Sequence, residues 1–133
     1  MGCDVHMILQ RKEKGNWVDK EILDIDSNYY LFGVLAGIRG SAKPIAEPRG
    51  LPADFTLKDY HYKTNLVALT DWWDNGDERG FFMGDHSHSW LTLHEINKYK
   101  HWDRTEYIQH EFKDLFFRCP NLKRWRLVFG FDS

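Results

Sequence analysis

Apolar and polar residues alternate at the start of the chain, with Val5, Met7 and Leu9 on one side and Asp4, His6, Ile8 and Gln10 on the other. A period of two marks a strand with one apolar face and one mixed face, here over 5–12. Lys14, Gly15 and Asn16 supply a turn signal, and 17–25 reads as the returning strand of a hairpin. Asp26, Ser27 and Asn28 offer helix N-cap chemistry, and Phe32, Leu35, Ala36 and Ile38 follow at helical spacing, which predicts a helix over 29–38. Gly33, Ala36 and Gly37 make one side of that helix small, as expected of close packing on a sheet. Gly40 is the expected left-handed residue after its end.

Pro44, Pro48, Gly50 and Pro52 exclude regular structure over 41–55. Residues 56–65 show no clear period, 66–69 form an apolar run of strand length, and 71–80 are acidic and turn-like. The carboxylates of that acidic stretch lack the terminal Glu offset of a calcium loop. Thr92 and Glu95 form a capping-box pattern that starts a helix over 93–99. A further helix over 105–117 carries Tyr107, Ile108, Phe112, Leu115 and Phe116 on one side, and Pro120 and Asn121 stop it. Trp125, Leu127, Phe129 and Phe131 alternate in a last strand, expected to pair with the first hairpin. The order predicts one α+β domain over 1–133, a mainly antiparallel sheet packed with about three helices.

Composition narrows the classes. A formal charge of −2 excludes a general nucleic-acid binder, which carries a basic excess. No apolar run reaches the roughly 18–20 residues of a membrane span, and no signal-peptide core is present. The myristoylation pattern wants Ser or Thr at position 6, where His6 stands. Cys3 and Cys119 are too few for a disulfide framework. These features predict a cytoplasmic protein with no membrane partner. Aromatic residues make up 16% of the chain, enough for some to line a pocket beyond those that fill the core.

The densest chemistry lies in Asp85, His86, Ser87, His88, Ser89 and Trp90, and its natural counterpart is Asp4 with His6. Asp4 and His6 share a strand face about 7 Å apart at Cα, and His86 and His88 do the same where the chain is extended. Asp4, His6, Asp85, His86 and His88 therefore form a candidate ligand set for a divalent Zn, Mn or Fe ion. The competing reading is a hydrogen-bonded loop that holds the start of the helix at 93. The Asp-x-His and His-x-His spacings are analogous to the opening and closing motifs of metallophosphoesterases. The Gly-Asn-His element is missing, and the chain is too short for that double-sheet fold. Ser89 and Trp90 precede a helix N-terminus, where N–H groups and the dipole favour an anion. Glu47 and Arg49 sit in a proline-stiffened loop that can hold a charged pair at a site rim, and Arg39 adds a cation. Cys3 shares the face of Val5 and Met7 and reads as a buried structural thiol. No P-loop, dinucleotide fingerprint or serine elbow occurs.

The opening Met-Gly-Cys-Asp-Val-His, the stretch from Asn28 to Arg39, Glu47-Pro-Arg-Gly-Leu-Pro52, His86-Ser-His-Ser-Trp-Leu-Thr-Leu93 and Leu127-Val-Phe-Gly-Phe-Asp132 resemble a family of small uncharacterised bacteriophage-type proteins that begin Met-Gly-Cys-Asp-Ile/Val-His. The loop over 40–47 is shorter here than is usual in that family. The resemblance implies a phage or prophage origin, hence a host cytoplasm, and it implies no activity.

Three function classes follow. The first is capture of a phosphorylated or nucleotide-like ligand, as a counter-defence protein that sequesters a host immune signal. Asp4, His6, Arg39, Glu47, Arg49, His86, His88, Ser89 and Trp90 are its candidate contacts. The second is metal-dependent phosphoester hydrolysis through the Asp and His set. The third is protein–protein inhibition of a host enzyme through exposed aromatic anchors. The oligomeric state is left open.

Overall fold

The computed structural model describes residues 2–23, 25, 28–40, 42–55, 84–102 and 112–132, with the backbone alone of 74–75, 78–79 and 109–111. Strands β1 (Asp4–Glu13) and β2 (Asn16–Leu23) form the opening hairpin. Lys14 and Gly15 turn it with φ of 52° and 83°, the positive pair that a two-residue hairpin matched to strand twist requires. Helix α1 (Tyr29–Ala36) follows, with the Asn28 side chain accepting the Leu31 N–H. Strands β3 (Asp74–Asn75) and β4 (Glu78–Arg79) make a short hairpin within the acidic stretch. The expectations for 56–65 and 66–69 lie outside the described residues. The order then runs β5 (His86–Thr92), α2 (Leu93–Lys98), α3 (Gln109–Arg118), one 3-10 turn (Leu122–Arg124) and β6 (Trp125–Asp132).

Among the described residues a four-stranded antiparallel sheet of order β2-β1-β6-β5 carries three helices, so the α+β class is as expected. The last strand does pair with the hairpin, Met7 opposite Phe129 and Leu9 opposite Leu127. Strand β5 is a correction. The histidine-serine stretch, read either as locally extended or as a loop before the helix and absent from the expected strand order, is an edge strand of the main sheet. Its first residues are polar because an edge strand needs only part of its surface to be apolar.

One sheet face bears Val5, Met7, Leu9, Leu127, Phe129, Phe131 and Leu91, all buried. It packs against Leu31, Phe32 and Leu35 of α1, Leu93 and Ile96 of α2, and Phe112 and Leu115 of α3. Each side chain so buried contributes about 1.5–3 kcal/mol. The other face is also buried, with His6, Ile8, Gln10, Arg126 and Val128 almost inaccessible.

Helix α1 ends earlier than its spacing predicts. Gly37, not Gly40, is the left-handed residue, at φ 72°, and its N–H bonds the Gly33 carbonyl. The small side of α1 also faces elsewhere than expected. A Cβ on Gly33 would stand 3.2 Å from Ala42 Cβ, and one on Gly37 would stand 3.3 Å from Pro44 Cγ. Gly33 and Gly37 therefore seat the returning 42–45 segment, which the Ile45 N–H fastens to the Val34 carbonyl at 2.8 Å, while Ala36 lies in the core as expected.

Gly84 holds a stricter position. Its φ is 85°, and a Cβ there would fall 2.6 Å from the Phe131 backbone. Gly84→Ala should lower unfolding free energy by about 2–3 kcal/mol, because both strain and overlap oppose it. Gly50→Ala, at φ 82° with nothing within 4 Å, should cost only about 1 kcal/mol. Urea unfolding midpoints of the two variants would check the contrast.

Candidate functional site

Strand β6 brings the two expected stretches to one end of the sheet. Asp4 pairs with Asp132, Val5 with Phe131, and Phe131 in turn with His86. Two strand spacings separate β1 from β5 there, about 10 Å. The faces differ, however. His6 lies on the mixed face opposite Gly130, and its Nε2–H donates to Asp132 Oδ2 at 2.5 Å. His86 stacks on Phe131, ring centroids 6.3 Å apart, on the apolar face.

The expected sharing of one face by His86 and His88 does not hold. Ser87 adopts φ 55° in a β-bulge, so Ser87 and His88 together oppose Gly130. The extra residue breaks the period of two. His88 then alternates with buried Ser89 and turns to the mixed face, where its Nε2–H donates to the Gly84 carbonyl at 2.9 Å. Ser87 Oγ lies 2.9 Å from His86 Nδ1. Asp4 and Asp85 are exposed. Among the described residues, no three His, Cys, Asp or Glu side chains are grouped to hold a metal ion.

The helix N-terminus after Trp90 already has its anion. The Glu95 carboxylate accepts the Thr92 N–H at 2.9 Å, and the Thr92 hydroxyl accepts the Glu95 N–H at 3.1 Å. Arg49 closes on the same carboxylate through both terminal nitrogens, at 3.0 and 2.5 Å. Its guanidinium also lies 4.5 Å from the Trp90 ring centroid and donates to the Trp90 carbonyl at 3.1 Å. Arg49 therefore pairs with Glu95, not with Glu47, which is exposed. The proline-stiffened loop does hold a charged pair, but the partner comes from 46 residues later. The Arg49 N–H donates to buried Ser89 Oγ, and the Gly50 N–H to the His88 carbonyl, so this loop covers part of the β5 edge. Arg49, and then Thr92, hold the Glu95 carboxyl below the usual carboxylate range, and Glu95 raises Arg49 in turn.

On the mixed face, one cross-strand row joins Asp19, Gln10 and Arg126. Gln10 donates to Asp19 at 2.7 Å and accepts from Arg126 Nε at 2.7 Å. Arg126 is 4% exposed. Its guanidinium lies 4.3 Å from the Trp17 ring centroid and 5.9 Å from that of Trp90. Its carboxylate contacts, to Asp54 on the 50–55 loop, are long at 3.3 and 3.4 Å. Burial lowers the Arg126 pKa, and Asp54 opposes that shift. Sequence reasoning missed Arg126, Asp54 and Asp132. One further step of the β6 alternation would have brought Asp132 beside the start of β1, whereas Asp54 carries no local signal.

Arg39 is placed differently from these arginines. It is exposed, holds a left-handed φ of 60°, and lies 5.8 Å over the ring of Tyr29. Among the described residues, no carboxylate pairs with it, whereas carboxylates hold Arg49, Arg118 and Arg126. Arg39 hydrogen-bonds Cys3, whose thiol pKa is raised by burial and partly restored by that guanidinium. Cys3 is thus the buried thiol that its strand face predicts. A run of ring contacts, His86 to Phe131, Phe131 to Phe32 at 5.1 Å and Phe32 to Tyr29 at 5.8 Å, lines the helix-side face between Arg39 and β5. Tyr29 is 39% and Phe117 of α3 is 90% exposed, and most other described aromatics serve the core.

No helix among the described residues is long and apolar enough to cross a membrane. Comparison with protein-family models, curated proteins and solved structures finds no match.

Two outcomes follow from the loop clamp and the bulge. The folded-state pKa of Glu95 is depressed, so its contribution is present above the unfolded value of about 4.3 and is lost as pH falls through the folded value. Glu95→Gln should therefore be about 1 kcal/mol less stable than the parent at pH 7, with the gap closing below about pH 4; solvent screens this partly exposed pair, which keeps the difference small. Urea midpoints between about pH 3 and 7 would read this. Ser87→Gly should stabilise by roughly 0.5–1 kcal/mol by removing the left-handed strain. A loss of stability would show that the Ser87 hydroxyl outweighs the strain.

Proposed function

We propose that this chain is a binding protein for a small phosphorylated, nucleotide-like ligand, engaged at the sheet end where Arg39, Tyr29, His86 and the start of β1 converge. The observation that carries the reading is the state of Arg39. An exposed guanidinium, oriented by an aromatic ring, a strained backbone and the Cys3 thiol and paired with no described carboxylate, is ready to take a phosphate through parallel N–H bonds. Tyr29 offers a partly exposed ring for a planar group, and His86 adds a half-buried imidazole on the same face. Asp4, exposed at the first position of β1 and paired with Asp132, adds negative charge at the edge of this sheet end and favours groups that donate hydrogen bonds, such as ribose hydroxyls.

The resemblance to bacteriophage-type proteins extends this reading to counter-defence, in which a host nucleotide signal is held and withheld. Capture needs no turnover, and a bound ligand leaves intact.

Thermal unfolding with a panel of cyclic and linear nucleotides tests the proposal. A ligand at about 100 times its Kd adds about 2.7 kcal/mol, which raises Tm by roughly 5–10 °C for a chain of this size. Arg39→Ala should weaken that ligand at least about tenfold, the worth of a charge-assisted hydrogen bond, and chromatography should recover it unchanged. No Tm rise with any member at about 1 mM would sink the idea. Cleavage that depends on added Zn2+ or Mn2+ would favour phosphoester hydrolysis instead.

A further inference from the structure

A cleft of about 340 Å³ lies between the 42–45 segment and the 94–101 stretch, away from the sheet end. Its walls are Lys43, Pro44 and Ile45 on one side and His94, Lys98, Tyr99 and His101 on the other.

Both walls are fixed in advance. Ala42 and Pro44 seat against Gly33 and Gly37, and Ile45 is tied to Val34. The Tyr99 hydroxyl donates to the Lys43 carbonyl and so joins the walls directly. Burial first, and then neighbouring Tyr30, raise the Tyr99 pKa, which keeps the phenol a donor. The Tyr99 ring is itself braced edge-on by His101 at 5.6 Å and Trp102 at 5.3 Å. A site whose walls are already ordered spends little binding energy on closing.

Its charge is one-sided. Among the described residues, no carboxylate pairs with Lys43, Lys98, His94 or His101. The one acid in the lining, Glu95, is held bidentately by Arg49 and by the Thr92 cap. Two ammonium groups and two imidazoles therefore face a cleft whose remaining lining is Pro44, Ile45 and the Tyr99 ring. Point charges suit a phosphate dianion, and the flat apolar lining suits a planar body.

We propose that this cleft is a second binding site, for a phosphomonoester with a planar body, of the size of a nucleoside monophosphate. Its volume lies near the lower end of small-molecule sites, roughly 300–1,000 Å³, which fits a mononucleotide better than a dinucleotide. The small face of α1 acquires a role here, because it seats the segment that forms one wall. The proposal stands apart from the sheet-end reading and uses none of its residues.

The test is carried out in the Arg39→Ala background, so that binding at the sheet end does not mask the cleft. Calorimetry with AMP should give a Kd below about 1 mM, and adenosine, which lacks the phosphate, should bind at least about tenfold more weakly. Lys43→Glu with Lys98→Glu should weaken AMP at least about tenfold while leaving the thermal midpoint near the parent's, since both lysines are exposed. Lys43→Gln with Lys98→Gln provides the gentler variant and should show a smaller loss in the same direction. Amide shifts on titration should centre on 43–45 and 98–101. Equal binding of AMP and adenosine, unchanged AMP affinity in the charge-reversed variant, or no AMP binding at about 5 mM would each overturn the proposal.

Discussion

Burying a guanidinium is the constraint on which much of this sheet depends. An ionised group taken out of water costs several kcal/mol unless partners replace its hydration. At Arg126 the replacements come from every strand of the main sheet and from one loop: Trp17 of β2, Gln10 of β1, Trp90 of β5 and Asp54. Gln10 passes the polarity on to Asp19 of β2. The row demands one register. Slipping β6 against β1 by a single residue would turn Arg126 into the apolar core and Leu127 out of it. The apolar layer supplies most of the driving force for folding, and the polar row on the opposite face selects the pairing.

The same accounting separates the chain's cations by what they can do. Glu95 occupies Arg49, while Glu21 and Asp114 occupy Arg118. Arg126 is enclosed by its row. Those groups clamp loops and elements, and their charge is already answered. Arg39 at the sheet end and Lys43 with Lys98 at the cleft have no such answer among the described residues. Within a molecule of formal charge −2, Arg39 and the Lys43–Lys98 pair therefore make two local sites of positive charge. Patches of that kind suit small anions rather than a long polyanion, which would need a continuous basic track.

Much of the architecture was legible along the chain. Alternation identified β1 and β6, the Lys14-Gly15-Asn16 turn signal placed β2, and the Asn28 and Thr92 caps located the starts of α1 and α2. Cys3 followed its strand face into the core. The readings that failed share one cause, a contact distant in sequence. Strand β5 looks like a polar loop until β6 lies beside it, and the bulge at Ser87 is visible only from Gly130 opposite. The small face of α1 looks sheet-directed until Ala42 and Pro44 fold back over it.

The candidate site divides in the same way. By itself the sequence determined the classes of element, their order and the convergence of reactive side chains in two short stretches, because periodicity and capping are local properties of the backbone. Only the tertiary structure decided that those stretches share one sheet end while His86 looks to the face opposite His6 and His88 to the same face as His6. The inserted residue at the bulge reverses the parity of His88 relative to His86, and parity along a strand is set by its neighbour. Only the fold decided, too, which cations find a carboxylate, since Glu95 and Asp54 reach Arg49 and Arg126 across 46 and 72 residues of chain.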